Sequence, residues 1–192
     1  RVMGVYYDGI SEYTYTVGED KKFKVFNPRK QAIVADLSCG GTGGAFEQGV
    51  LQVSNQLTNL VADKENKRVF ISNRSGRVFI YDITPVTPEL LHSFQAHQKG
   101  AIRGLFFDGV KNYLITANYD DGVLALIDLQ KPGKEKYAHN IANLQGKQKA
   151  RYVVWSPSRS ELVSGAEDGS ITFWDAKKAA PVHAMQGHNG GV

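Results

Sequence analysis

Four times along this chain a tight turn leads into a short run of alternating residues that closes on Asp or Asn. The copies are Glu19-Asp20-Lys21-Lys22-Phe23-Lys24-Val25-Phe26-Asn27, Arg74-Ser75-Gly76-Arg77-Val78-Phe79-Ile80-Tyr81-Asp82, Asp120-Asp121-Gly122-Val123-Leu124-Ala125-Leu126-Ile127-Asp128 and Glu167-Asp168-Gly169-Ser170-Ile171-Thr172-Phe173-Trp174-Asp175. Each copy places its turn residue seven positions before the closing residue. An aromatic precedes that residue in three copies, and Ile127 fills the slot in the third. The closing residues recur about every 46 to 55 positions, close to the length of one propeller blade.

The rest of each unit repeats as well. Short strands are predicted upstream of the turns at Tyr13–Val17, Arg68–Ile71, Tyr113–Thr116 and Glu161–Ser164. Before them come Val2–Tyr7, Ile102–Phe107 and Tyr152–Trp155, which end on the turn signals Asp8-Gly9, Asp108-Gly109 and Ser156-Pro157. After each closing residue the pattern predicts a last strand, at Gln31–Leu37, Leu90–Phe94, Tyr137–Leu144 and Pro181–Met185. No segment is long and periodic enough to predict a helix. Parallel pairing needs crossovers of a dozen residues or more, which these connections lack, so antiparallel four-stranded meanders follow. Both faces of such a sheet carry apolar side chains, for example Val78 and Ile80 on one and Phe79 and Tyr81 on the other. A sheet of that kind must be covered on both sides, which stacking of blades achieves.

Gly187-His188 and Trp174-Asp175, with their degenerate counterparts, make the chain resemble the WD40 repeat family over nearly its whole length. The runs Ser75-Gly76-Arg77-Val78, Phe94-Gln95-Ala96-His97, Leu144-Gln145-Gly146 and Gly165 to Ile171, with Gly18-Glu19-Asp20-Lys21, resemble more narrowly the FYVE-and-WD-repeat proteins. The expected fold class is therefore an all-β, WD40-type β-propeller. Four blades of four antiparallel strands are expected near 1–38, 50–97, 100–147 and 150–188, with 189–192 opening a further blade. About seven blades are usual for the family, so the chain reads as part of a larger propeller. A closed four-blade ring, or dimerisation through the open ends, is the alternative. The zinc-binding FYVE finger, which in that subfamily reads an endosomal phosphoinositide, has no counterpart here, because one cysteine cannot build it.

The resemblance also implies a His, Ser/Thr, Asp and Trp network within each blade. Counting from the turn Asp, the last blade offers Ser164, Asp168 and Trp174, with Lys147 where His is expected. The first offers Thr16 and Asp20, with Phe26 replacing Trp. The third has His97 and Asp121, but the count falls on Ala117 and Ile127 for the other members. In the second, Ser75 stands at the turn and Ile71 in the Ser/Thr slot. No blade has the full set.

Little in the sequence points to catalysis. Gly40-Gly41-Thr42-Gly43-Gly44 is followed by Ala45-Phe46-Glu47 instead of the Lys-Ser/Thr pair that a phosphate-binding loop requires. The histidines His92, His97, His139, His183 and His188 form no short-spaced metal pair, and no Gly-x-Ser-x-Gly nucleophile elbow is present. Neither a cofactor nor a metal is expected. Trp174-Asp175-Ala176-Lys177 falls one residue short of a Trp-Asp-x-Arg adaptor-docking motif, and lysine lacks arginine's planar fork. Lysine and arginine number 23 against 19 acids, but the basic residues are scattered through loops, which argues against nucleic acid. The single cysteine, Cys39, fits a reducing intracellular compartment, so a cytoplasmic location is expected, with endosomes only if the subfamily resemblance holds.

A non-catalytic platform for protein partners is the expected function. Its rim should combine the residues beside the turns, Glu19, Arg74, Tyr119, Asp120 and Glu167, with the corner residues His97, Lys99, Lys147 and Lys149. Mixed charge suits a protein edge better than a uniform polyanion. The alternative is an anionic ligand, RNA or acidic membrane, held by the lysine loops. Otherwise membrane contact is expected only indirectly, through a domain outside this chain.

Overall fold

The computed structural model of the chain describes residues 1–39, 55–129, 139–145, 149–176, 178 and 180–190. Among these there are sixteen strands and no helix, in four sheets of four antiparallel strands each. The first sheet contains β1 (Val2–Asp8), β2 (Tyr13–Gly18), β3 (Lys22–Asn27) and β4 (Ala32–Ser38). The second contains β5 (Leu57–Asp63), β6 (Arg68–Asn73), β7 (Arg77–Asp82) and β8 (Glu89–Gln95). The third contains β9 (Ile102–Asp108), β10 (Tyr113–Asn118), β11 (Val123–Asp128) and β12 (His139–Gln145). The fourth contains β13 (Ala150–Ser156), β14 (Glu161–Ala166), β15 (Ser170–Asp175) and β16 (Ala180–Gln186). Strand order within each sheet follows the chain, as a meander requires. The strand that sequence reading did not identify is β5. Its run Leu57-Thr58-Asn59-Leu60-Val61-Ala62-Asp63 alternates poorly, because residues on both of its faces are buried.

The sheets group into two compact units, Arg1–Gln95 and Ala96–Val192. In the first, one core joins the first two sheets. Tyr15, Val17, Phe23, Val25 and Ala35 pack with Leu57, Leu60, Val69, Ile71, Phe79 and Tyr81. The rings of Phe23 and Tyr81 lie 5.2 Å apart across this seam. Phe79 and Tyr81 thus face the first sheet, while Val78 and Ile80, also fully buried, lie on the other face of β7. In the second unit, Ile115, Ala117, Leu124 and Leu126 pack against Ala150, Val153, Trp155, Leu162 and Trp174.

Both seams have glycine at their closest approach. A Cβ on Gly4 of β1 would sit 2.9 Å from the backbone nitrogen of Leu60, and one on Gly104 of β9 would sit 3.1 Å from that of Val153. Within each unit the first strands of the two sheets therefore approach so closely that an added side chain would force a neighbour to shift. Three of the four first strands end in an aspartate that adds a polar tie, while β13 ends in Ser156. Asp108 Oδ2 accepts from Trp155 Nε1 at 2.7 Å, and Asp8 Oδ2 accepts from Lys67 Nζ at 3.2 Å. The equivalent Asp63 binds Arg68 Nε at 2.7 Å within its own sheet, both side chains being buried.

Each turn between second and third strands ends on a left-handed residue. The backbone takes φ of +66° at Lys21, +81° at Gly76, +68° at Gly122 and +85° at Gly169. A type I turn closed by a left-handed residue gives this hairpin, and glycine is its natural occupant. The turn aspartates cap their own loops. Asp20, Asp121 and Asp168 accept from the backbone N–H of Lys22, Val123 and Ser170 at 3.3, 3.0 and 3.0 Å.

The third sheet's turn is one residue longer than its counterparts. Gly122 N–H reaches the Asn118 carbonyl, whereas Gly169 N–H reaches that of Ala166 and Lys21 N–H that of Gly18, one residue nearer in each case. Strand register agrees: Thr116 pairs with Ala125 where Ser164 pairs with Thr172 and Thr16 with Lys24. Thr116, not Ala117, is therefore the residue in phase with Ser164.

Candidate interaction site

At one end of every sheet the turn between second and third strands meets the segment entering the first strand. A backbone hydrogen bond fixes this junction in all four sheets. The N–H of Glu19, Arg74, Tyr119 and Glu167 donates to the carbonyl of Arg1, Gln56, Ala101 and Lys149, at 3.0, 2.9, 2.8 and 3.1 Å. These four side chains are thus strictly in phase. Asp120, predicted from spacing, is the additional residue of the longer turn, and its Oδ2 accepts from Ala101 N–H at 2.8 Å.

The in-phase residues contact one another within each unit. In the first, Arg74 Nη2 lies 3.5 Å from Glu19 Oε1, with both side chains about one-third exposed. In the second, Tyr119 Oη donates to Glu167 Oε2 at 2.6 Å. Arg151 Nη2 reaches the other oxygen of Glu167 at 2.9 Å, and Lys149 Nζ stands 4.0 Å from Oε2. Three cations also surround the Tyr119 ring: Lys149 Nζ at 5.1 Å, Arg151 Cζ at 5.6 Å and Arg103 Cζ at 5.7 Å from its centroid. All lie within the range of cation–π attraction. The hydrogen bonds from Tyr119 and Arg151 hold the Glu167 carboxyl below its ordinary range, and the Glu167 carboxylate raises the Arg151 guanidinium. The cluster remains open to solvent, with Lys149, Arg151 and Glu167 each at least 40% exposed.

The other predicted rim residues fall differently. His97 is buried, 6% exposed, and its Nε2 lies 2.8 Å from Thr116 Oγ1, so it faces the interior and presents nothing to a partner. Burial pushes its pKa down to about 4, against a smaller upward pull from Asp121. Lys99 is exposed, and its carbonyl accepts from Asn118 Nδ2 at 2.6 Å. Lys147 and the Gly40–Gly44 run lie outside the described residues.

Of the network residues, Ser164 and Trp174 come together: Trp174 Nε1 donates to Ser164 Oγ at 2.9 Å in a buried site. Asp168 instead binds the Ser170 hydroxyl at 2.6 Å, within its own turn. Thr16 and Asp20 line a shallow cleft of about 230 Å³ with Arg1, Val2, Lys22 and Lys24. Asp121 caps its turn, and its charge pulls the His97 pKa upward. Sequence reasoning missed the His97–Thr116 pair because it counted from Asp121 across the lengthened turn. It missed Arg103 because nothing in the chain links the second residue of β9 to Tyr119. Among the described residues, no three His, Cys, Asp or Glu side chains gather as a metal site, and no helix is long and apolar enough to cross a membrane.

Four-stranded meanders with capped turns in step, packed face to face within each unit, define blades of the WD40 propeller type. Comparison with known proteins agrees: residues 88–128 and 139–175 match the family model for the WD domain, G-beta repeat. Each match runs from the last strand of one sheet through three strands of the next, so the sequence repeat is offset by one strand from the structural blade. The chain is also similar to the meiotic fizzy-related protein 1 of Schizosaccharomyces pombe, with 22% identity over 144 residues, 72% of this chain. It spans 31% of that relative's length. WD40 repeats serve in general as protein-interaction modules rather than as catalysts.

Proposed function

We propose that this chain is a non-catalytic scaffold that binds a protein partner through the end of the sheets bearing Glu19, Arg74, Tyr119 and Glu167. The observation that carries this reading is the in-phase placement of those four residues, two of them inside the exposed Tyr119 cluster. Within each unit these residues give a turn end of mixed charge, held by a backbone bond at each junction, which suits a protein edge. The chain spans 31% of the fizzy-related relative, whose name carries no partner over to it. The finer readings, a FYVE-and-WD-repeat protein with an endosomal setting and an intracellular location, rest on the residue runs and the single cysteine alone.

Charge reversal tests the rim. Arg74→Glu and Glu167→Lys, introduced singly and together, should remove a discrete set of co-purifying proteins in quantitative affinity capture while the β-sheet circular dichroism of the folded chain is retained. An identical capture profile for the native chain and the double variant would move the interaction away from these turns.

A further inference from the structure

We infer that the outward faces of the first and fourth sheets are the two halves of one seam, through which one copy of this chain docks head to tail on a second copy. This contact is separate from the turn end bearing Glu19 and Glu167. Each seam inside a unit has a polarity: the earlier sheet lays one set of alternate side chains on the later sheet, which receives them on the opposite set. In the second unit Ile115, Leu124 and Leu126 are laid against Val153, Trp155 and Trp174. The first sheet repeats the receiving set on its exposed face. Val5 pairs with Thr16 and Tyr7 with Thr14, as Val153 pairs with Ser164 and Trp155 with Leu162. Phe26 pairs with Thr14 as Trp174 pairs with Leu162. Val5, Tyr7 and Phe26 therefore stand where Val153, Trp155 and Trp174 stand in the fourth sheet. They lie on the face turned away from the second sheet, because the alternating set Gly4, Tyr6, Phe23 and Val25 faces it.

The fourth sheet carries the other half. Val163 pairs with Phe173 and Gly165 with Ile171, as Ile115 pairs with Leu126 and Ala117 with Leu124. Val154 extends this set onto β13 and Met185 onto β16, so an apolar surface crosses all four strands. Val5, Tyr7, Tyr152 and Val154 are each more than half exposed. Apolar groups gathered on one face in this way mark a contact surface, unlike singly scattered ones. A second copy is the occupant because one chain holds both halves, each in phase with a seam already present, so that docking continues that seam. Lys22 and Lys24, on the receiving face, are paired with Asp36 and Asp20 at 3.3 Å each. One position differs from the seams within units. Tyr152 pairs with Gly165 where Gly4 pairs with Val17 and Gly104 with Ala117. A tyrosine there prevents the close approach that glycine allows, so copies associate reversibly. Because the two halves differ, the contact is heterologous and adds copies head to tail.

The test uses the 192-residue chain in analytical ultracentrifugation. Concentrations run from about 1 to 100 μM, where a weak protein contact becomes populated. The native chain should pass from one copy to two and more as concentration rises. Val5→Lys/Tyr7→Lys blocks the receiving half, and Tyr152→Lys/Val154→Lys blocks the other. All four side chains are exposed, so both variants should keep their β-sheet circular dichroism. Each variant by itself should self-associate about tenfold more weakly than the native chain, or less still. Mixed in equal amounts, the two should form a species of two copies and none larger, because each retains one intact half. Recovery on mixing is a result that unfolding of either variant cannot produce. A native chain that stays as single copies throughout overturns the inference. So do mixed variants that stay apart at concentrations where the native chain associates. Undiminished pairing of Val5→Lys/Tyr7→Lys alone overturns it too, in favour of a fourth sheet packed on its own counterpart.

Discussion

Acidification should destabilise this protein through His97. The imidazole is buried against Thr116, and its pKa lies at about 4 in the folded chain, against about 6.5 for an unperturbed histidine. Between those values the unfolded chain takes up a proton that the native state refuses. Stability is therefore greatest above pH 6.5, falls as the pH drops through the window, and levels off near pH 4, where the native histidine also protonates. With about 1.4 kcal/mol for each unit of displacement, the loss between pH 7 and pH 5 is on the order of 2 kcal/mol. The carboxyl groups of Asp8, Glu167 and Asp168 are held below their ordinary values, so their contributions are lost only at lower pH. Urea unfolding followed by tryptophan fluorescence is a suitable assay, since Trp155 and Trp174 lie in the same unit as His97. The native chain should lose stability from pH 7 to pH 5, whereas His97→Gln should start lower and respond about 2 kcal/mol less over the same interval. His92, also lowered by burial, leaves a residual slope in both proteins. Parallel pH profiles for the two proteins would refute the assignment of this stability to a neutral, buried His97.

Other substitutions probe the seams and turns. Trp155→Phe removes the indole bond to buried Asp108 and should lower the stability of the second unit by about 2 kcal/mol, read from the urea midpoint. Gly4→Ala and Gly104→Ala each drive a Cβ toward the backbone of the neighbouring sheet and should cost roughly 1–3 kcal/mol by the same measurement. Lys21→Gly should raise stability by about 1 kcal/mol, because Lys21 adopts the left-handed conformation that glycine fills in the other three turns. Cys39 is buried with its thiol pushed up to about 11, so alkylation at pH 8 should be slow in the native chain and rapid in urea. Rapid native labelling would contradict that burial.

The blade pattern was legible because it depends on short-range chemistry. Turn aspartates, alternating strands and closing Asp or Asn residues recur at fixed steps, and all four resulting hairpins form where the spacing places them. β5 escaped because a strand covered on both faces loses the alternation that reveals half-buried strands. Positions counted along the chain held only while the turns kept one length. A single extra residue before Asp121 moved the Ser/Thr position from Ala117 to Thr116 and the in-phase rim position from Asp120 to Tyr119.

Amino-acid order alone thus decided that this is an all-β chain of repeating four-stranded sheets, since hairpin chemistry and period-two burial act over a few residues. Which residues meet across sheets was decided only by tertiary packing. Asp108 with Trp155, Gly104 with Val153, and Tyr119 with Glu167 are far apart in the chain and brought together by the stacking of one blade on the next. Such contacts depend on register and turn length summed over whole strands, so no local pattern encodes them.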